Sequence, residues 1–320
     1  MERHSRTHLK MLGRFKILNF DRRKADRLHA SAQSLSDQGR DDEAIAKYKE
    51  AVVLNPEKSE SYYNLGLIYK YRGAWRESFE FNRKAHDLDP SNEAAGWNLA
   101  IAATALRDWN TARSAWSALG IKVDQGRGPI VCDFGATPVR LNPDGNAEVV
   151  WARRIDPVRA RIISIPTGES GFCFDDTVLH DGAPVGYRML GESERPVFNV
   201  LELFEASEFS TYRALVRASG KSDVDELENR LKEHGMESED WTANFHLLCK
   251  ACSEGRPHEH KTEHRESTWV PERRIGIAAR SLDDVERVLN DWVGARAAQD
   301  VLEVSCELAA DNRDFEDATR

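Results

Sequence analysis

At 320 residues the chain is long enough for two or three domains and needs no cross-links for stability. Its net charge of −9, with 31% charged and 40% apolar residues, argues against broad non-specific binding to nucleic acid or anionic membrane. No window approaches the roughly 20 uninterrupted apolar residues of a membrane span, and five cysteines, three of them isolated, fit a reducing cytoplasm better than a disulfide framework.

The chain opens on a basic segment, 1–24. Residues 11-MLGRFKILNF-20 imitate a signal sequence, but Arg14 and Lys16 interrupt the apolar run and no small-residue cleavage pattern follows. The stretch reads as a short amphipathic helix or a ragged start.

Next comes a repeat. Laying 25-ADRLHASAQSLSDQGRDDEAIAKYKEAVVLNP-56 over 59-SESYYNLGLIYKYRGAWRESFEFNRKAHDLDP-90 shows a 34-residue period, and 93-EAAGWNLAIAATALRDWNTARSAWSALGIKVD-124 keeps the register. Each copy predicts two apolar-periodic helices split by a Gly- or Asp-containing turn. One such pair cannot bury its own face, so neighbours stack and leave a concave groove. The second copy carries Tyr62, Leu65, Gly66, Tyr69, Gly73, Ala85 and Pro90, and the first Leu28, Gly39, Ala44, Tyr48, Ala51 and Pro56. The third keeps Leu99, Ala100, Ala112 and Trp116 but has Leu119 and Asp124 where the pattern wants Ala and Pro, as at the edge of an array. This pattern resembles the tetratricopeptide repeat (TPR) family, with copies at 25–58, 59–92 and 93–124.

The resemblance implies a ligand groove lined by the first helix of each copy. Its residues here are His29 and Gln33, then Tyr63, Asn64 and Leu67, then Trp97, Asn98 and Ile101. Asn64 and Asn98 stand 34 residues apart, in equivalent places, and a side-chain amide can hold an extended backbone through both donor and acceptor. The Lys/Arg set with which some family members clamp a terminal carboxylate is absent. The opposite expectation is that these aromatics pack against the domains that follow.

From 128 to 206, seven short β-rich runs alternate with turn signals such as Asn142-Pro143-Asp144-Gly145, predicting a compact β-barrel or sandwich. Arg153, Arg154, Arg159 and Arg161 sit beside Trp151, a composition able to stack on RNA, although alternation also places arginines on the wet face of a strand. The run 173-CFDDTVLHDG-182 groups a cysteine, three aspartates and a histidine, the types a nucleophile or metal site needs, but it also reads as hairpin ends.

From 208 to 308, strand 210–219, a helix after Ser222 as its cap, strand 273–280, helix 281–294 and strand 300–308 predict a ferredoxin-like α/β sandwich, with a further strand drawn from 241–252. The long connection carries 249-CKACSEGRPHEHKTEH-264 within an insertion spanning 246–264. Cys249 and Cys252 have the spacing that lets two thiolates grip one ion, and His258 and His260 point to the same side of an extended segment. Zinc suits that set, with His246 or His264 as substitute ligands. Four protein ligands make the zinc structural; an open position beside Glu259 or Glu263 would make it catalytic. The acidic run 309–320 predicts a disordered tail.

Together these readings predict a multidomain α + β protein. An α-solenoid of three helix pairs precedes a small β domain and a ferredoxin-like domain with its Cys/His insertion. The expected function is a non-enzymatic cytoplasmic adaptor or scaffold that captures a protein or peptide segment. The alternative is a metal-dependent hydrolase or nucleic-acid-processing enzyme that uses the repeats as a docking arm.

Overall fold

The computed structural model describes residues 20–245, 269–293 and 299–313. The chain divides into two compact units, Met1–Ile130 and Val131–Arg320.

The first unit is helical: α1 (20–36), α2 (Asp41–Leu54), α3 (Ser59–Tyr71), α4 (Trp75–Leu88), α5 (Glu93–Ala105) and α6 (Trp109–Ala118). Its helix ends follow local chemistry. Asn92 and Asp108 accept the backbone N–H of Ala95 and Thr111 (3.1 Å each), capping α5 and α6. Gly39 and Gly73 take φ of 72° and 67° where the chain turns between paired helices. The equivalent third position is Arg107, at φ 58°, so the degenerate copy puts a side chain into backbone space that favours glycine.

Ala32, Leu35, Ala44, Ile45, Tyr48, Leu65 and Ile68 form the core of the first helices. At Gly66 the backbone approach is close enough that a Cβ would stand within 2.7 Å of the Asn82 amide, and Ser78 Oγ donates to the Gly66 carbonyl (2.9 Å). The loop-like stretch after α6 is stapled by one side chain. Arg113 donates through Nε to Asp124 O (3.0 Å), through Nη1 to Gly128 O (2.7 Å) and through Nη2 to Pro129 O (3.3 Å). Carbonyls that no strand or helix claims thus find a charged donor.

The second unit holds a barrel and a sheet. Strands β1 (Ala136–Leu141), β2 (Glu148–Arg154), β3 (Arg159–Ile162), β4 (Thr177–Leu190) and β5 (Ser193–Glu205) form a closed barrel of antiparallel neighbours. In a five-strand meander the first and last strands run the same way, so closure is a parallel pairing, Val139↔Phe198 and Arg140↔Asn199. Val139, Leu141, Val150, Ala152, Ala160, Ile162, Val178 and Val200 fill it. Three of the seven expected runs change identity. Residues 177–180 and 184–190 are one long strand whose register shifts at bulges between Leu179 and Gly186, and 129–134 takes no strand conformation.

The sheet region runs β6 (Ser210–Arg217), α7 (Lys221–Glu233), β7 (Glu237–Asp240), the short α8 (Trp241–Phe245), β8 (Glu272–Ala279), α9 (Leu282–Val293) and β9 (Asp300–Leu308). Strand order is β7-β8-β6-β9, every neighbouring pair antiparallel. Both long helices cover the face bearing Tyr212, Ala214, Val216, Ile275 and Ile277, with Leu227, Leu231, Val288, Leu289 and Trp292 packed against it. The fourth strand precedes the expected window 241–252: Trp241 starts a helical turn instead. Ser222 is not the cap of α7 either, because the helix already begins at Lys221, and the Asp223 carboxylate accepts Ser219 N (2.8 Å).

Barrel and sheet are joined inside this unit. Trp241 Nε1 donates to Ile165 O (3.1 Å), Glu239 accepts Ile165 N (2.9 Å), and Ile165, Trp241 and Ala278 share a small apolar core with Phe174 and Phe209. On the barrel side Glu148 accepts from Thr167 Oγ1 (2.8 Å) and N (3.2 Å). Burial, then the nearby carboxylates of Glu239 and Glu169, hold the Glu148 pKa above the ordinary carboxylate range. A carboxyl whose pKa rises on folding contributes stability below its unfolded pKa and loses it as pH climbs through the folded value. Glu148→Gln is therefore expected to raise the Tm at pH 7 by about 2 °C and to match the parent near pH 4. Thermal melts across pH 4–8 check this; a gain that persists undiminished at pH 4 would contradict it.

Residues 309–313, the start of the segment predicted as a disordered tail, take a defined place. Residues 310–312 form a single turn, Ala310 N donates to Ser210 Oγ (3.0 Å), and the Arg313 side chain is 2% exposed. A buried salt bridge, invisible to composition, anchors it.

Candidate functional site

The groove positions separate into two groups. In α1, His29 is half-buried, its Nδ1 2.9 Å from Ser61 Oγ and its ring edge-on to Tyr48; burial lowers its pKa. Gln33, one turn further, is exposed. In α3, Tyr63, Asn64 and Leu67 are half-buried, and Asn64 Nδ2 donates to Tyr48 Oη (2.9 Å). Ser61 and Tyr48 thus belong to the site although the groove pattern did not mark them. Tyr48 was legible only as the consensus aromatic of its copy.

In α5 the expectation of an open face fails. Trp97 is half-buried against Trp116, but Asn98 is 5% exposed and Ile101 1%. Asn64 and Asn98 are equivalent in sequence and unlike in environment. The reason lies in 93-EAAGWNLAIAATA-105, which has no charge after Glu93. A helix apolar all round is buried all round, and nine of its 13 residues are buried. The face that remains accessible comes from α1 and α3.

The other chemistry-bearing motifs are spent on structure. Asp176, fully buried, accepts Cys173 N (2.7 Å), Ser207 N (2.7 Å) and Arg313 Nη1 (2.6 Å). His180 is enclosed in the barrel, stacked on Phe198, with Nδ1 2.7 Å from Asp181 O, so that nitrogen carries the proton. Burial, reinforced by the Arg154 charge, pushes its pKa down to about 3, too low for a general base at neutral pH. Of the four arginines, Arg159 is buried against Asp156 (2.6 Å), and Arg154 lies between Phe134 and Phe198 and donates to Pro157 O (2.5 Å). Arg153 pairs with Asp133 and Arg161 with Asp175 (3.5 Å).

Cys249, Cys252, His258 and His260 lie outside the described residues, as do His246, Glu259, Glu263 and His264. Among the described residues no group of three or more His, Cys, Asp or Glu is placed to hold a metal ion. Cys132, Cys173 and Cys306 are free thiols, and no described helix is long and apolar enough to cross a membrane.

Comparison with known proteins agrees with the helical geometry. Residues 32–73 match the TPR repeat family model. Human tetratricopeptide repeat protein 6 is 35% identical over 69 residues, which are 22% of this chain and 13% of that protein. Two solved structures are similar to the chain. The second TPR of Spaghetti (RPAP3), bound to HSP90 peptide SRMEEVD, is 17% identical over 35% of this chain and 98% of that one, with a TM-score of 0.33. The Arabidopsis OM64 TPR domain is 17% identical over 32% and 85%, with a TM-score of 0.29. The helical array is made of tetratricopeptide repeats.

Proposed function

We propose that the chain is an adaptor whose repeat array captures a segment of a partner protein. The α1–α3 face carries this reading. It combines an exposed amide (Gln33), two half-buried apolar side chains (Tyr63 and Leu67) and a neutral imidazole already oriented by Ser61. Such a face suits an extended backbone with an apolar side chain pocketed beside it. Without a basic clamp, an internal segment fits better than a chain terminus.

The second unit serves as a rigid body. Its strand–helix order and antiparallel β7-β8-β6-β9 sheet support reading residues 208–308 as a ferredoxin-like sandwich beside the barrel. In the same reading Cys249, Cys252, His258 and His260 hold a structural zinc, on the strength of their spacing, and the free thiols accord with a cytoplasmic setting. Chain purified without added metal is expected to retain one equivalent of zinc and Cys252→Ser to lose it; metal-free parent protein would end that part of the proposal.

Panning a displayed peptide library on the full chain tests the groove. Selected peptides are expected to lose about tenfold in affinity on Leu67→Ala or Gln33→Ala, an effect of about 1.4 kcal/mol. They are expected to bind Lys232→Ala, far along the chain on α7, unchanged. If no peptide responds to the groove variants, the adaptor reading fails.

A further inference from the structure

Three strands of the barrel turn arginines onto one patch of its outer face. Val139 and Leu141 belong to the barrel core, so Arg140 between them points outward, opposite Val149 on β2 and Asn199 on β5. Arg195 lies on the same face of β5 as Asn199 and directly opposite Arg188 on β4. Arg188 Nη1 donates to Val149 O (3.0 Å), which carries its guanidinium across to the strand beside Arg140. Val149 and Val197 are buried beneath these stems.

The neighbouring carboxylates face elsewhere. Glu194 alternates with Arg195 and stands opposite Met189, and Glu148 accepts from Thr167. Among the described residues Arg140 and Arg195 form no ion pair, and Arg140 Nε, Arg195 Nε and Asn199 Oδ1 are buried atoms without a hydrogen-bond partner. Like charges directly opposite on paired strands are destabilising, and a buried donor left unbonded adds to that cost. A tetrahedral oxyanion relieves both, because its charge offsets the arginines and its oxygens accept from their planar forks. The Asn199 amide can donate through Nδ2, or accept through Oδ1 from a protonated phosphate oxygen.

We propose that Arg140, Arg195 and Asn199, with Arg188 beside them, bind a phosphate-class oxyanion on the outer face of the barrel. The grouping is compact and suits one phosphoryl group. A long track of phosphates, as in a nucleic acid, is disfavoured by the net charge of −9. The site gives the barrel a ligand of its own and stands apart from the adaptor reading of the repeat groove.

Thermal unfolding of the full chain in inorganic phosphate, against chloride at equal ionic strength, tests it. At about 20 mM phosphate the parent Tm is expected to rise by about 3 °C over chloride, and that of Arg140→Met with Arg195→Met by under about 1 °C. Arg76→Met, an exposed arginine of α4, should respond like the parent. In chloride the double variant is expected to melt no lower than the parent, since it keeps the apolar stems and loses the like charges. A clearly lower Tm there would contradict the repulsion and the proposal with it. No phosphate response in the parent, or an undiminished one in the double variant, would overturn the site. A larger shift with O-phosphoserine than with inorganic phosphate would assign it to a phosphate monoester, and the reverse to the free ion. Stabilisation by single-stranded RNA with none by phosphate would give the face to a nucleic acid instead.

Discussion

Gly276→Ala is expected to lower the stability of the barrel–sheet unit by about 3 kcal/mol, a loss of about 6–12 °C in Tm. Gly276 lies in β8, and a Cβ added there would stand within 2.6 Å of Cε2, Cζ2 and Nε1 of Trp241. That indole cannot yield cheaply. It is buried with Ile165 and Ala278, and its Nε1 donates to Ile165 O, so displacing it breaks both a core contact and a bond joining sheet to barrel. The loss should vanish where the indole is already gone: in a Trp241→Ala background, Gly276→Ala is expected to cost under about 1 kcal/mol. Urea unfolding of the four proteins measures the coupling. Equal costs in both backgrounds would show that Trp241 is not the obstacle.

Asp176→Ala is expected to cost about 3–5 kcal/mol, because it removes the carboxylate facing a buried guanidinium. Asp176 is fully buried and the Arg313 side chain 2% exposed, and the same carboxylate holds Cys173 N and Ser207 N. Both amides and the arginine would lose a charged acceptor at once. Asp176→Asn, which keeps an acceptor oxygen, should fall between parent and Ala. Hydrogen exchange adds a local readout, with residues 309–313 expected to lose protection in both variants while β1–β3 keep theirs. A cost below about 1 kcal/mol for Asp176→Ala would show that the pair only breaks even against its desolvation.

Both predictions concern residues whose roles the sequence disguised. Gly276 stands between Ile275 and Ile277 inside a strand, a recognised sign of close backbone approach, but nothing nearby named Trp241 as the neighbour. Asp176 stood in a Cys/Asp/His cluster that resembled a catalytic constellation. Its chief partner lies 137 positions away, beyond the reach of any spacing rule. The candidate groove positions His29, Gln33, Tyr63, Asn64 and Leu67 are what the resemblance to the tetratricopeptide repeat family implies, whereas the burial of Asn98 and Ile101 depends on what surrounds α5.

Sequence alone determined the repeats, the division of each into two helices and the strand–helix alternation of the last third. Those features rest on periodicities of 3.6 and 2 and on glycine, proline and capping residues acting within a few positions. Tertiary structure alone decided which motif residues remain available. It merged two predicted strands into one bulged β4, moved the fourth sheet strand to Glu237–Asp240, buried α5 and turned the Asp176 cluster into a staple. Hydrogen bonds and burial between distant segments settle those outcomes, and a local pattern constrains which segments can meet without stating which do.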